Sequence, residues 1–165
     1  MFNLDGFLQQ FERVRERTRR VAACIPDDQI EWTYRPGAFT LGDLVRHIAV
    51  AEREIWAETL HDRPMRYTTH GRELADGKDA ILALLDRFHA ESLDQFRALT
   101  PEMLESKCTT PAGSAMTRWK WLSLMPEHEI HHRGQIYTML GVLGVAVPSL
   151  YGMTADQVKA RAGTR

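Results

Sequence analysis

Residues 117–143, with the sequence TRWKWLSLMPEHEIHHRGQIYTMLGVL, form the longest stretch of the chain with a helical pattern of apolar residues. Apolar residues that recur every three or four positions place one apolar stripe along a helix. Pro126 interrupts the pattern, and we expect a kink or a break there because proline lacks an amide hydrogen. Gly141 and Gly144 are typical of a helix end. The predicted inner face carries Trp121, Leu124, Met125, Ile136, Met139 and Leu143.

Three other segments carry the same kind of stripe and are predicted as helices, at residues 4–25, 40–55 and 79–99. Their boundaries have residue types that favour the start or the end of a helix. Asn3 can cap the first helix, Thr40 and Asp43 form the start signal of the second, and the Thr-Pro pair at 100–101 stops the third. Thr154 begins another capping signal, which predicts a short C-terminal helix.

Four amphipathic helices in a chain of this length predict an all-α fold, a four-helix bundle that residues 1–165 form as a single domain. The connection at 60–77 is long for a bundle. We therefore expect it to cross over between two parallel neighbouring helices. No segment alternates convincingly between apolar and polar residues, so no β-strand is predicted.

The composition is that of an ordinary globular protein. Of the 165 residues, 44% are apolar and 26% are charged, which excludes a disordered chain. The formal net charge of −1 is too balanced for a protein that wraps nucleic acid, and no nucleic-acid partner is expected. Cys24 and Cys108 lie outside any CxxC pair, which excludes a disulfide scaffold and a cysteine-rich zinc site. Both cysteines are expected to be buried.

The hydropathy pattern gives no signal for export or for membrane insertion. The N-terminal stretch MFNLDGFLQQFERV turns polar within a few residues. The longest stretch of low polarity, at 141–147, is far shorter than the roughly 20 residues needed to cross a bilayer. We therefore expect a soluble cytoplasmic protein with no membrane partner.

The segment HEIHHRGQ, at 128–135, contains three of the seven histidines. At about 100° per residue, His128 and His132 lie about 40° apart in the predicted apolar stripe, and His131 lies nearer its edge. A histidine pair at i, i+4 points two imidazoles at one spot, as in helical zinc sites. The other interpretation is a pair of hydrogen-bonded core histidines, and the pattern alone leaves both open.

A histidine pair holds a metal weakly, so a third ligand should come from another helix. His47 is the best candidate because it lies near one edge of the second helix's stripe, in line with Asp43, Glu54 and Glu58. Taken singly, His47 is interpreted as a surface or packing histidine. The other histidines are weaker candidates, since two lie in a polar connection and one neighbours a core phenylalanine: His61, His70 and His89.

Three stretches resemble the DinB/YfiT superfamily of bacterial bundle proteins: YRPGAFTLGDLVRHIAVAE at 34–52, EHEIHHRGQIYTMLGVLG at 127–144 and VPSLYG at 147–152. The resemblance covers nearly the whole chain in order. It implies a four-helix bundle, commonly dimeric, in which three histidines hold a divalent metal ion. In the family one ligand comes from the second helix and an HxxxH pair from the last long helix. The resemblance therefore assigns the ligands to His47, His128 and His132.

Three neutral imidazoles leave coordination positions open, which is typical of a reactive rather than a structural site. An all-nitrogen ligand set suits one divalent transition metal ion, with zinc, nickel or iron favoured. The resemblance implies chemistry on a low-molecular-weight thiol, since similar proteins include bacillithiol-type transferases and mycothiol-dependent isomerases. We therefore predict an enzyme that transfers a thiol to a small-molecule substrate. The alternatives are a metal-dependent hydrolase that activates water and a stress-induced metal-binding module without catalysis.

No catalytic residue is assigned from the sequence. Glu54, Glu127 and Glu129 are candidates for contacts to the ligands or for acid–base roles, but each is equally explained as a solvated charge on a helix. Gln135, one turn beyond His132 on the same face, is the stronger candidate for a hydrogen bond to a ligand.

The run ERVRERTRR at 12–20 places five arginines on the first helix. Such a run can bind phosphate. Its alternation with Glu12 and Glu16 instead predicts charge pairs on a solvated helix face.

Apolar residues opposite the predicted core stripes indicate a homodimer with a twofold helical interface. They lie on the second and fourth helices: Val45, Ala49, Trp56, Ile130, Tyr137 and Leu140. Gly134 and Gly141, on the same side of the fourth helix, would allow another helix to approach closely. The alternative is that loops or the C-terminal tail cover these faces.

Overall fold

The computed structural model describes residues 2–67 and 69–163 and is built mainly from α-helices. In chain order the elements are α1 (Leu4–Ala23), a 3₁₀ turn (Asp27–Gln29), α2 (Leu41–Val50), a π-helical segment (Ala51–Trp56), α3 (Ala57–Thr59), α4 (Lys78–Arg97), α5 (Pro101–Glu105), β1 (Lys107–Thr109), β2 (Ala115–Thr117), α6 (Arg118–Val142) and α7 (Ala155–Ala162). The α2 helix, the π-helical segment and α3 follow one another without a gap and form the second long helix. The predicted fold class, an all-α four-helix bundle with a short C-terminal helix, is confirmed.

Side chains at the helix starts satisfy amide groups that have no partner within the first turn. The side-chain oxygen of Asn3 accepts an amide hydrogen bond three residues further on, at 3.0 Å. Thr40 and Asp43 form a reciprocal capping box at the start of α2. Thr154 and Gln157 form another at the start of α7. These helices therefore begin where the sequence predicts.

The connection at 60–77 joins two neighbouring helices that run in the same direction. Helices α1 and α2 each pack against both α4 and α6, which places α1 and α2 at opposite corners of the bundle. Contacts between Glu52 and His89, and further along between His61 and Gln95, show that the second long helix and α4 are parallel. The predicted crossover between parallel neighbours is confirmed.

The bundle interior contains two apolar clusters separated by buried charged residues. One cluster lies around Val21, Ile25, Leu41, Leu44, Ile48, Ile81, Leu85, Ile136 and Leu140. The other lies around Leu8, Phe11, Trp56, Leu60, Phe96, Leu122 and Met125. Between them lie Arg15, Glu52, Glu129 and Arg133, each at most 4% exposed.

Arg15 connects all four long helices at this level of the bundle. Its guanidinium donates to both carboxylate oxygens of Glu129, at 2.9–3.2 Å, and to Glu52. It also donates to the main-chain oxygen of Leu85 in α4, at 3.3 Å. Burial alone would lower the pKa of Arg15, but the two carboxylates outweigh it and hold that pKa above its ordinary value. The prediction of a solvated face is therefore wrong for Arg15.

Helix α6 differs from its prediction in its continuity and in its rotation. It runs unbroken through Pro126, so of the expected kink or break the break is absent. The centre of its buried face lies near Glu129 and Ile136, roughly 60° from the centre that its apolar residues predicted. His128 and His132 consequently lie at the edge of the core and are half-buried.

The apolar residues that predicted a second exposed face on the second long helix are buried within the chain. Val45, Ala49 and Trp56 are at most 5% exposed, and Leu140 of α6 is fully buried. That part of the reasoning for a dimer is therefore wrong, because these side chains belong to the bundle's own core.

Three local features depart from the sequence-based expectations. Strands β1 and β2 form a short antiparallel hairpin, although no strand was predicted. The π-helical segment interrupts the second long helix. The expected burial is correct for Cys108 and wrong for Cys24, which is partly exposed.

Charged residues occur along every long helix. Even α6, with 25 residues, has arginine, lysine and glutamate side chains along its length. Within residues 2–67 and 69–163, no helix is long and apolar enough to cross a membrane.

Glu58, in α3, is the buried member of a second charge cluster, whose arginines extend towards the surface. Its carboxylate accepts hydrogen bonds from Arg53, Arg63 and Arg66. Burial alone would raise the pKa of Glu58, but these hydrogen bonds outweigh it and lower the pKa to about 2. Although the sequence places Glu58 in line with His47, its carboxylate is taken up by the three arginines.

Arg15→Ala is expected to reduce the free energy of unfolding by about 3–5 kcal/mol, because two carboxylates would stay buried without their cation. The matched control is Arg19→Ala on the same helix. It removes an ion pair with Asp86 in which the side chains are 49% and 45% exposed, and it should cost at most about 1 kcal/mol. Urea denaturation at pH 7 measures both values. Equal losses would contradict the role assigned to Arg15.

Glu58→Gln is expected to be less stable than the wild type at pH 7, with a difference that disappears in acid. Because the pKa of Glu58 is lowered from 4.5 to about 2 on folding, its contribution is complete above about pH 4.5 and is lost as the pH falls towards 2. Denaturant titrations between pH 7 and pH 2.5 test this, with the exposed Glu16→Gln as control. A difference between Glu58→Gln and wild type that does not change with pH would refute it.

Candidate metal centre

Packing of the second long helix against α6 brings three of the predicted histidines together. His47 lies in the last turn of α2, and His128 and His132 lie one turn apart in α6. Two tryptophans fix the antiparallel alignment of the helices. Trp56 donates to the main-chain oxygen of Trp121 at 3.0 Å, and Trp121 donates to a threonine hydroxyl of α3 at 2.9 Å.

The Nε2 atoms of the three histidines converge. His128 Nε2 lies 3.1 Å from His47 Nε2 and 3.1 Å from His132 Nε2. Two nitrogen ligands at about 2.0–2.1 Å from one zinc ion are roughly 3.0–3.4 Å apart, so this spacing suits a transition metal ion. Across the described part of the chain, these three residues form the one group of histidine, cysteine and carboxylate side chains with ligand atoms within 4.8 Å of one another.

Hydrogen bonds at the outer ring nitrogens orient two of the three imidazoles. His132 Nδ1 lies 2.8 Å from Gln135 Oε1, an oxygen that can only accept, so His132 carries its proton on Nδ1 and a lone pair on Nε2. His47 Nδ1 lies 2.6 Å from the hydroxyl oxygen of Tyr67. Gln135 therefore makes the hydrogen bond to a ligand that its position in the sequence predicts.

All three histidines are neutral near pH 7. Burial, reinforced by the neighbouring histidines, lowers the pKa of His47 to about 3 and that of His128 to about 4. Burial also lowers the pKa of His132, although its hydrogen bond with Gln135 acts in the opposite direction. Neutral imidazoles have the free lone pairs that metal ligation requires.

Aromatic side chains from two connections flank His47. The ring centroid of Phe39 lies 5.3 Å from that of His47 and 4.6 Å from that of His70. The Tyr67 hydroxyl lies 3.0 Å from His70 Nδ1. The sequence gives no indication of Phe39 and Tyr67 and only a weak one of His70, because connections lack the periodicity that fixes where a side chain points. A signal existed for Phe39, which directly precedes the N-cap of α2, a position where apolar residues often pack.

Three other candidates lie outside the convergent group. The carboxylate of Glu129 points into the bundle, towards Arg15. Glu127 and His131 are exposed on α6. His131 Nε2 lies 3.3 Å from the side-chain nitrogen of Gln135, on the side of that amide away from His132.

Glu54 lies near the hydroxyl group that contacts His47. Burial, together with the carboxylates of Asp43 and Glu54, raises the pKa of Tyr67, which keeps its hydroxyl protonated. The remaining histidines form hydrogen bonds elsewhere in the bundle. His61 contacts a main-chain oxygen of α4 at 2.9 Å, and His89 contacts a buried carboxylate at 2.9 Å.

A groove of about 860 Å³ lies between residues 34–39 and the second half of α6. None of the three histidines lines it, but Gln135 contacts His132 and Phe39 packs on His47. Phe39 and Gln135 belong both to the groove and to the surroundings of the histidines. Its volume is within the range of small-molecule sites. The lining is mostly apolar: Tyr34, Arg35, Ala38, Phe39, Leu44, His131, Gly134, Gln135, Thr138, Met139 and Val142.

Comparisons with known proteins give one family. The sequence model of the DinB superfamily matches residues 10–136. The chain is 23% identical over 162 residues to the uncharacterized protein YrdA of Bacillus subtilis, a match that covers 93% of this chain and 91% of YrdA.

Solved structures with a similar fold include a DinB-like protein, a probable hydrolase and an isomerase. A DinB-like protein of Bacillus cereus has a TM-score of 0.75 and 21% identity, over 89% of this chain and 97% of its own. YfiT of Bacillus subtilis, described as a probable metal-dependent hydrolase, has a TM-score of 0.69 and 21% identity, over 87% of this chain and 89% of its own. A mycothiol-dependent maleylpyruvate isomerase has a TM-score of 0.69 and 13% identity, over 90% of this chain and 66% of its own.

The matched range covers most of the helical bundle. It contains His47, His128 and His132, together with Gln135. The similar structures share the bundle fold, one of them described as having an unusual four-helix bundle topology. By this match and by its fold, the chain belongs to the DinB superfamily.

Proposed function

We propose that the protein is a metal-dependent enzyme in which His47, His128 and His132 hold one divalent transition metal ion, with zinc, nickel or iron favoured. The observation that carries the proposal is the convergence of three neutral imidazole nitrogens at 3.1 Å spacings. The similarity to YfiT, described as a probable metal-dependent hydrolase, supports it.

The three Nε2 atoms have too few protons to hydrogen-bond with one another fully, which favours a cation between them. His132 has its proton on Nδ1, and its Nε2 lone pair points at His128. If His47 donates from Nδ1 to Tyr67, its Nε2 lone pair points at the same place. One proton on His128 Nε2 can serve only one of these two lone pairs. A metal ion would satisfy all three nitrogens at once.

The ligand set favours a reactive site. Among the described residues, no fourth histidine, cysteine or carboxylate joins the group, so an ion held there keeps positions open for water or substrate. A bound divalent ion would lower the pKa of a water molecule or a thiol at such a position. A non-catalytic metal-binding module would more often have a closed ligand set.

The adjoining groove is the proposed binding region for a small-molecule substrate. Phe39 and Met139 offer apolar contact, Arg35 offers a charge, and Gln135 offers a polar group next to His132. We propose a low-molecular-weight thiol as the nucleophile, with water as the alternative. The similarity to the mycothiol-dependent isomerase supports the thiol, and the similarity to YfiT supports water.

Untagged protein is expected to bind about one divalent ion per chain. His47→Ala, His128→Ala and His132→Ala should each abolish stoichiometric binding, because two imidazoles hold a metal weakly. The matched control His131→Ala removes an exposed histidine of the same helix and should bind as the wild type does. Isothermal titration of chelator-treated protein with ZnCl₂ measures this. Loss of binding in His131→Ala with retention in His132→Ala would refute the ligand assignment.

Zinc-loaded protein is expected to accelerate the reaction of cysteine with monochlorobimane, in which a C–S bond forms and chloride leaves. The rate should fall to background in His128→Ala, which lacks a ligand for the ion. Hydrolysis of 4-nitrophenyl acetate without added thiol is the parallel assay for water as nucleophile. Acceleration of the ester reaction alone would favour the hydrolase. No acceleration in either assay by protein that retains its zinc would contradict both enzymatic readings with these probes.

We also propose that two copies associate through the outer face of α6. Ile130 and Tyr137 are 41% and 40% exposed there. At Gly134 and Gly141, no heavy atom beyond the adjoining residues and the helix's own nearby backbone lies within 4 Å of the place that a Cβ would occupy, so another helix can come close. The exposed apolar surface on this face supports the proposal.

Sedimentation velocity at micromolar concentration is expected to show a dimer, and Ile130→Asp should yield a monomer because it buries a charge in the interface. Leu124→Asp adds the same charge on another face of α6, where Leu124 is 38% exposed, and should stay dimeric. A wild-type monomer mass that added zinc leaves unchanged would refute the dimer.

A further inference from the structure

We propose that Tyr67 is a positioning residue of the metal centre. With an ion bound, its hydroxyl accepts the Nδ1 proton of His47, in the tautomer whose Nε2 lone pair faces the ion, and donates its own proton to His70. The inference rests on the proposed function. Tyr67 lies in the crossover connection and not in a helix of the bundle. The proposal therefore gives this connection a role in metal binding.

The contacts form a continuous chain of three polar groups. The Tyr67 hydroxyl oxygen lies 2.6 Å from His47 Nδ1 and 3.0 Å from His70 Nδ1. Phe39 packs against the rings of both histidines, with centroids 5.3 and 4.6 Å away, and restricts their rotation. The hydroxyl group is thus held between two imidazole nitrogens.

Each of these three side chains has one proton to donate. The two hydrogen bonds can therefore run in either of two directions. In one, His47 Nδ1–H donates to Tyr67, and the Tyr67 hydroxyl donates to His70 Nδ1. His47 Nε2 then has a free lone pair. In the other, His70 donates to Tyr67, Tyr67 donates to His47, and the proton of His47 sits on Nε2 and blocks ligation. An ion selects the first direction, and the hydrogen bond from His47 to Tyr67 makes His47 Nε2 a better ligand.

His47 has no partner of this kind on its own helix. His132 receives its support from Gln135, three residues further along α6. The corresponding positions after His47 are Val50 and Ala51, which have no polar side chain. Support for His47 therefore has to come from another part of the chain, and Tyr67 supplies it.

The test compares zinc affinity in the full chain by competition with a chelator. Tyr67→Phe keeps the ring and removes only the hydroxyl, and it is expected to weaken zinc binding by about 10-fold or more. Gln135→Ala, which removes the matching support of His132, should weaken binding to a similar degree. Tyr137→Phe, on the outer face of α6, is the control and should bind as the wild type does.

Nitrogen-15 spectra of the histidine rings separate positioning from a merely structural role. In the zinc-loaded wild type, His47 should be protonated on Nδ1, with exchange against water slowed by Tyr67. In Tyr67→Phe that exchange should be faster, while His132 is unchanged. Zinc affinity within twofold of wild type in Tyr67→Phe would overturn this inference and leave the proposed function standing. A wild type that binds no zinc would overturn both.

Discussion

The buried guanidinium of Arg15 is the constraint on which the rest of the bundle depends. A charge in the interior is tolerated only when opposite charges and hydrogen bonds surround it, and Glu52, Glu129 and a carbonyl of α4 provide them. Each partner belongs to a different long helix. Four helices that could slide on apolar contacts alone are therefore fixed at one level, with an apolar cluster above it and another below.

The same constraint orients the candidate metal centre. Neighbouring residues of a helix point about 100° apart, so turning Glu129 towards Arg15 directs His128 towards the second long helix. His132 and Arg133 repeat the arrangement one turn later. On the second long helix, Glu52 faces Arg15 from the π-helical segment, while His47 stays at the edge of the core. The orientation of each helix about its own axis therefore places both the charge cluster and the histidines.

The sequence predicts the helices, the crossover and the convergence of His47, His128 and His132, because capping residues and apolar periodicity are local signals. It does not predict the rotation of α6. Apolar periodicity treats charged residues as solvated, whereas Glu129 and Arg133 lie on the buried face. Tyr67 lies in a connection, where side-chain direction depends on tertiary contacts. The position of Arg15 depends on partners 37 and 114 residues away, which no local pattern contains.

The inward orientation of Glu129 bears on how residues 128–132 should be interpreted. They spell H-E-I-H-H and so satisfy the H-E-x-x-H pattern of helical zinc peptidases, in which the glutamate acts as general base beside the ion. In this bundle the carboxylate of Glu129 points into the core and is salt-bridged to Arg15. The sequence pattern alone would therefore name Glu129 as the general base, although its carboxylate is already bound to Arg15. A proton lost by a nucleophile at the histidines would therefore go to an acceptor other than Glu129.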